Sequence, residues 1–363
     1  MTSTSAPTRT RSTPQNGPGL SDERGAVLGF LFESLVVDVD DVPDYRSLSD
    51  QEQVEHLRAV ALPAAERFGV KVGGLELVLH SYNTTFALTS TSGERFALRV
   101  NTNSQSRPEN LIAQIAWVRA LAAQTQIVVA EPVATPTGEY VVEISSPVTG
   151  PVTVVLNTWL EGPDLDALTE AQGAELGRVM RALHAHGSGW HLPPDGALAV
   201  FDDPFMGTVD LLSDSAFLDR SQRDVVAHAL AQINHAFDQL RSTPPIVAHA
   251  DLHGGNLKLA GDSLAVFDFD DACLARPVQD LAISAFYLRR DDPEVEQAML
   301  SAYGEPLEGA AFLEDLVAAR QLHLANALLS STTGSWRDQA QAYVALVIPR
   351  LEAYLRTGRL EFV

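Results

Sequence analysis

The chain reads as an α+β protein of two lobes, a small antiparallel-sheet lobe followed by a larger, mainly helical one. Three features predict this. Apolar residues alternate with period two across much of 75–159. Beyond Glu161-Gly162-Pro163 the apolar spacing becomes three-to-four almost throughout. Short strand-like pieces at 246–249, 257–260 and 264–268 then interrupt the helical part, with a dense set of polar residues between them. At 363 residues the chain has room for two or three domains. The expected divisions are a tail (1–20), a helical extension (21–74), the sheet lobe (75–160) and the helical lobe (161–363).

Residues 1–20 are rich in Ser, Thr, Pro, Gln and Gly, with almost nothing to bury, and read as a disordered tail. Across 48–68, Val54, Leu57, Val60, Ala61 and Ala64 recur at helical steps, with Ser47 or Ser49 as N-cap and Pro63 as a kink or restart. Leu75, Leu77 and Leu79 then alternate, 85–90 continues extended, Thr91-Ser92-Gly93-Glu94 turns, and 95–101 alternates again. On that last strand Phe96, Leu98 and Val100 share one face, leaving Ala97 and Arg99 on the other. A helix over 109–124 follows, with Leu111, Ile115, Val118 and Ala122 facing inward. Strands at 127–133, 140–144 and 152–159 complete one antiparallel sheet carrying a single inserted helix. Further on, Thr169 and Gln172 form a capping box opening a helix to about His186. Other helices are expected over 217–241, 280–290 and from 313 to the last residues.

Acidic residues outnumber basic ones 47 to 25, for a net charge of −22. Such a surface repels phosphate backbones, which argues against nucleic-acid binding and favours a cationic ligand. The single cysteine, Cys273, rules out an intrachain disulfide and a cysteine-built metal cage. The most apolar stretch, 26–37, is broken by Glu33 and falls short of a membrane span. The N-terminus lacks the apolar core of a secretory signal, so the expected location is the cytoplasm. Lys71 and Lys258 are the only lysines, which leaves few places for a catalytic one.

The polar residues concentrate between His249 and Asp271, with Asp251, His253, Gly254-Gly255, Asn256, Asp262, Asp268 and Asp270 between them. With Gly261-Asp262-Ser263 as its loop, the hairpin is symmetric about Asp262 and sets Asn256 opposite Asp268. Opposed residues on an antiparallel pair have Cβ atoms about 4.5–5.5 Å apart. An amide oxygen and a carboxylate at that distance suit magnesium, a hard ion shared with water and phosphate. Asp251, across the glycine turn, points into the same mouth as an acceptor for a hydroxyl proton. Two metal-holding groups beside one such carboxylate follow the logic of phosphoryl transfer.

From His249 to Asp268 the segment resembles the signature of the aminoglycoside phosphotransferase and choline/homoserine kinase family, a branch of the protein-kinase-like fold. That signature is His-x-Asp-Leu-His-x-x-Asn, then a hydrophobic pair and Asp. Weaker matches at 83–100, Trp159-Leu160-Glu161-Gly162, Leu183-His184 and Asp280-Leu281-Ala282 extend the likeness over 75–290. The resemblance implies a protein-kinase-like two-lobe fold, ATP as donor, Asp251 as catalytic base, and Asn256 and Asp268 as ligands of Mg2+. It implies that Ser81, Asn83 and Thr84 belong to the loop over the phosphates. Trp159 to Glu161 would be the hinge that meets adenine through backbone groups.

Arg99 stands where the family usually has a lysine gripping the α/β-phosphates, and Gln114 where it usually has a glutamate. Gln114 would hydrogen-bond Arg99 without offsetting its charge. His249 and His253 read as braces of the catalytic loop, Asp280 as an N-cap and loop anchor, and His184 as a core residue. The expected activity is ATP- and Mg2+-dependent transfer of a phosphoryl group to a small hydroxylated acceptor: an aminoglycoside, an amino alcohol or a homoserine-like compound. The acidic composition suits an amine-bearing one. Arg99, Gln114 and the glycine-free phosphate loop leave open a pseudokinase that binds nucleotide without turnover. A Ser/Thr protein kinase would need a longer activation segment than 268–280 offers. A metal oxygenase built on His249, Asp251 and a distant histidine such as His323 would leave Asn256 and Asp268 without a role.

Overall fold

The computed structural model describes residues 43–362 apart from 105, 166 and 262. The expected tail, the 21–42 part of the expected extension, and Asp262 at the centre of the expected hairpin lie outside the described residues.

Helix α1 (Asp50–Arg67) opens at a capping box, in which Ser49 accepts from the Glu52 N–H and Glu52 reaches back to Ser49. It continues through Pro63. Strands β1 (Val72–His80), β2 (Thr84–Ser90) and β3 (Arg95–Asn101) follow. Helix α2 (Pro108–Gln124) and the short β4 (Val128–Val129) come next, then β5 (Val141–Ser146) and β6 (Gly150–Thr158). All the strands so far except β4 form one antiparallel sheet in the order β1-β2-β3-β6-β5. Its inner face, including Phe86, Leu88, Leu98, Val100, Val154 and Leu156, forms one apolar cluster with Val54, Leu57, Val60, Ala61 and Ala64 of α1. Removing a Leu or Phe side chain of this kind from water stabilises the lobe by about 1.5–3 kcal/mol. Leu98 and Val100 are fully buried there, so Arg99 projects from the opposite face of β3.

Within residues 75–160 two elements depart from the sequence reading. Helix α2 buries Leu111, Ala113, Gln114, Trp117, Val118 and Leu121, while Ile115 and Ala122 are only half-buried. The bulkiest side chain sets the face: Trp117 is fully buried, edge-on to Phe269 with ring centroids 5.5 Å apart. Through Trp117, Val118 and Leu121 the helix joins the core of the helical lobe rather than that of the sheet. The strand expected over 127–133 shrinks to two residues because the segment changes partner. Ala130 N–H reaches the Val266 carbonyl (3.3 Å), whereas Val133 N–H reaches that of Leu156 (2.7 Å).

The helical lobe contains α3 (Glu170–Gly189), α4 (Arg220–Leu240), β7 (Ile246–Ala248), β8 (Leu257–Ala260), β9 (Ser263–Val266) and β10 (Cys273–Ala275). Then come α5 (Pro277–Asp291), α6 (Pro293–Tyr303), α7 (Leu313–Ser330) and α8 (Gly334–Thr357), so the helix expected from 313 onward is broken at 331–333. Strand β4 runs parallel to β9, and β10 pairs with β7. The hairpin β8–β9 pairs Leu257 with Val266 and Ala260 with Ser263. Its turn therefore has two residues, not the expected three, and Gly261 supplies the left-handed φ (+65°) that so tight a turn requires. The register is off by one from the expectation. Asn256 stands opposite Phe267, whose N–H donates to the Asn256 carbonyl at 3.1 Å.

Candidate active site

A one-residue slip would send Asp268 to the wrong face of a regular ribbon. The ribbon, however, ends at Val266, and Asp268 takes a φ of +60°, a left-handed conformation costly for a residue with a Cβ. Asp268 then lies within electrostatic reach of Asp251 and His249. Asn256 donates through Nδ2 to the Asp251 carbonyl (2.8 Å) and to its Oδ2 (3.0 Å). The two expected metal-holding residues thus adjoin Asp251, by a backbone turn rather than by the predicted cross-strand pairing.

The loop before them is held from below. Ala250 is also left-handed (φ +64°), and its N–H donates to Asp280 Oδ1 at 2.8 Å. Asp280 Oδ2 is 2.7 Å from His184 Nε2, and His184 Nδ1 is 3.0 Å from the Tyr303 hydroxyl. Burial alone would raise the Asp280 carboxyl, but the hydrogen bond and charge of His184, with lesser help from His249 and Ala250, hold it low. Asp280 anchors the loop, as expected, but it is not an N-cap. That position is Arg276, and Asp280 sits inside the first turn of α5.

His249 has both ring nitrogens on backbone groups, Nε2 near the Phe267 carbonyl (3.0 Å) and Nδ1 accepting from Asp251 N–H (3.3 Å). Neither is left for a metal, so the His249–Asp251–His323 triad does not form. His253 Nδ1 accepts from Gly255 N–H (3.1 Å), and its ring lies 4.2 Å from that of Tyr287. Its Nε2 stands 3.6 Å from Asp251 Oδ2.

Asp251 also has a cationic partner that the sequence reading missed. Arg320 of α7 donates through Nη2 to Asp251 Oδ1 and to the Tyr287 hydroxyl (2.8 Å). Burial pushes the Asp251 carboxyl up, yet Arg320, then His253 and His249, hold it well below the usual carboxylate range. A carboxylate has about four acceptor sites, so Asp251 can still accept a substrate hydroxyl.

On the other side, Arg99 reaches Asp268 Oδ1 through Nη1 and Asp270 Oδ1 through Nη2 (3.1 Å). Gln114 is not its partner. Its Nε2 donates to the Asp270 carbonyl (2.6 Å) and to Ser106 (3.3 Å). The charge of Arg99 is offset by Asp270, which also accepts from Asn83 Nδ2 (2.9 Å) and Ser104 Oγ (3.2 Å). Asn83 Oδ1 accepts from the backbone of Thr102 (3.0 Å), and Thr84 is fully buried with its hydroxyl on His80 (2.7 Å). The Ser81 carbonyl accepts from Thr333, between α7 and α8.

The segment expected to be the hinge, 159–161, follows β6. Arg95 stacks over the Trp159 ring at 4.0 Å and pairs with the exposed Glu161 at 3.5 Å. A Cβ at Gly162 would lie 2.1 Å from the Leu259 carbonyl oxygen, and its φ is +124°, so only glycine fits against the hairpin.

Among the described residues no group of three or more His, Cys, Asp or Glu side chains could hold a metal alone. Asn256 and Asp268 nevertheless fit magnesium. Asn256 turns its Nδ2 toward Asp251, which leaves Oδ1 as the free ligand, and the Asp268 side chain is 40% exposed. Asp270 and Asp251 crowd the Asp268 carboxyl with like charge, which a bound cation would relieve.

A profile described as a phosphotransferase enzyme family matches residues 77–316. No curated protein matches significantly. Among solved structures, a microcompartment-associated aminopropanol kinase is 22% identical, with TM-score 0.72 over 84% of this chain and 99% of that one. An amicoumacin kinase in complex with AMP-PNP, Ca2+ and Ami is 16% identical, with TM-score 0.65 over 83% and 96%. A choline/ethanolamine kinase family protein from Mesorhizobium loti is 19% identical, with TM-score 0.54 over 84% and 95%. These likenesses establish a shared two-lobe kinase-like fold.

Proposed function

We propose, since this chain belongs to the phosphotransferase enzyme family, that it moves the γ-phosphate of ATP to a hydroxyl of a small molecule. The sheet lobe (75–160) binds the nucleotide and the helical lobe (161–363) the acceptor. One observation carries this reading: a carboxylate, Asp251, stands on a strained loop hydrogen-bonded to the Asn256 amide and near a second carboxylate, Asp268, which Arg99 holds from the other side. The solved kinases of like fold, one an aminopropanol kinase and one holding AMP-PNP, support a small acceptor and a nucleoside triphosphate donor.

In this reading Asp251 orients the acceptor hydroxyl toward the γ-phosphorus and takes its proton. A new O–P bond forms as the bond between the γ-phosphorus and the β–γ bridging oxygen breaks, and the electron pair leaves on ADP. Asn256 and Asp268 would hold a magnesium ion, which when bound would neutralise charge on the phosphates. Arg99 exchanges the half-exposed Asp268 for phosphate oxygens while keeping Asp270 as its fixed counter-charge. With the Asn83 and Thr84 side chains already engaged, the 81–84 loop meets phosphate through its backbone. Residues 159–161 present backbone groups to adenine. No helix among the described residues is long and apolar enough to cross a membrane. We place the protein in the cytoplasm, where ATP is supplied. The test is a coupled ADP-release assay over hydroxylated acceptors, with and without magnesium. Magnesium- and acceptor-dependent release is expected, and binding of Mg·ATP with no turnover on any acceptor would favour a pseudokinase.

A further inference from the structure

Three side chains of α7 and α8 carry buried nitrogens without a hydrogen-bond partner. Arg320 is 4% exposed, and beyond its bonds to Asp251 and Tyr287 its Nε and Nη1 are buried without a partner. Three residues along α7, the buried Nδ1 of His323 also lacks a partner, within electrostatic reach of Arg320 and Asp251. On α8, Arg350 donates through Nη1 to the amide oxygen of Gln321 (2.9 Å), and its Nε is buried and unpartnered. Arg290, Arg320 and Arg350 all lie within electrostatic reach of Tyr343.

Ion pairs account for two of the three arginines. Arg290 is paired with Asp291 and Arg320 with Asp251, with Asp271 a further acid within electrostatic reach of Arg320. Arg350 has no acidic partner among the described residues. Unmatched buried arginine N–H groups of this kind point to an absent acceptor atom. A guanidinium cluster also repels the amine that the overall charge suggested.

We infer that the acceptor bears an oxyanion, carboxylate or phosphate, recognised by Arg320 with His323 and Arg350; this deepens the kinase function proposed for the site and rests on it. The substrate is then a small hydroxy acid or hydroxylated phosphate ester rather than an amino alcohol or aminoglycoside. The phosphoryl transfer from ATP to the hydroxyl is unchanged. The oxyanion makes and breaks no bond; it sets the hydroxyl against Asp251.

The test measures ADP release by the full chain with Mg·ATP and three acceptor sets. Glycerate and 3-hydroxybutyrate probe carboxylate, glycerol 3-phosphate probes phosphate, and 1-amino-2-propanol with 3-hydroxybutyramide are the cationic and neutral comparisons. Calorimetry measures Mg·ATP binding separately. A hydrogen-bonded charge is worth roughly 10- to 100-fold, so kcat/KM for at least one oxyanion acceptor exceeds those of the comparisons by about that factor. Arg320→Gln abolishes this preference, Arg320→Lys retains part of it, and the less buried Arg350→Gln raises the acid's KM about 10-fold. A merely structural role would lower turnover of acid and amide together. Preference for the amino alcohol, or no turnover of any oxyanion acceptor by protein that binds Mg·ATP, overturns the inference. Failure to bind Mg·ATP overturns the kinase reading, and this inference with it.

Discussion

Two arginine–aspartate pairs flank the segment from His249 to Asp271, and their surroundings give them different work. Arg99 comes from β3 and holds Asp268, whose side chain is 40% exposed, and Asp270, which is 8% exposed and fixed by Asn83 and Ser104. Arg320 comes from α7 and holds Asp251, with its own guanidinium almost wholly buried. An ion pair with a half-exposed partner is worth about 0–1 kcal/mol and can be exchanged for a ligand. Breaking a buried one by removing a single partner costs about 3–5 kcal/mol. The Arg99–Asp268 pair is therefore suited to open for a nucleotide, and the Arg320–Asp251 pair to stay.

The largest contrast should appear between two substitutions. Arg320→Met is expected to lower stability by about 3–5 kcal/mol in denaturant titration. Asp268→Asn should change stability by less than about 1 kcal/mol yet cut kcat on the order of 10²–10³-fold. Similar stability losses in both would erase the distinction. Next, Asp270→Asn removes the fixed counter-charge of Arg99 and should raise the KM for Mg·ATP about 10-fold, leaving the acceptor KM unchanged. An equal rise in both would show that Asp270 serves the whole loop.

A smaller effect concerns His323, which burial, with Arg320 beside it, lowers to about 3. The unfolded chain takes up this proton near pH 6.5 and the folded chain only near pH 3. The stabilisation is thus whole above pH 6.5 and is lost as pH falls toward 3. The melting temperature should decline across that window, and less so in His323→Gln. A parallel decline in both proteins would remove His323 from the account. Smallest is Gln114→Glu, which cannot donate to the Asp270 carbonyl. A few-fold loss of kcat/KM is expected, whereas a gain would mean that Arg99 re-pairs with the helix.

The sequence made some of this legible through period. Alternation on β3 placed Arg99 opposite the buried Leu98 and Val100, and the polar residues after β7 marked the candidate site loop. The hairpin register was missed because Gly261 makes a two-residue turn, and the return of Asp268 toward Asp251 depends on a left-handed φ that no pattern announces. Asp270 could not be matched to Arg99, since 171 positions separate them and only tertiary packing joins them. Arg320 did leave a trace. It sits at helical spacing from Leu316, Val317 and Leu324, an arginine on an apolar stripe, which calls for a buried partner.

The most direct measurement compares Asp251→Asn with the parent protein in two assays, ADP release with an accepted substrate and calorimetric binding of Mg·ATP. Turnover is expected to fall about 10²–10⁴-fold while nucleotide affinity stays within roughly 3-fold. Comparable losses in both, or undiminished turnover, would contradict the assignment of Asp251 as the base.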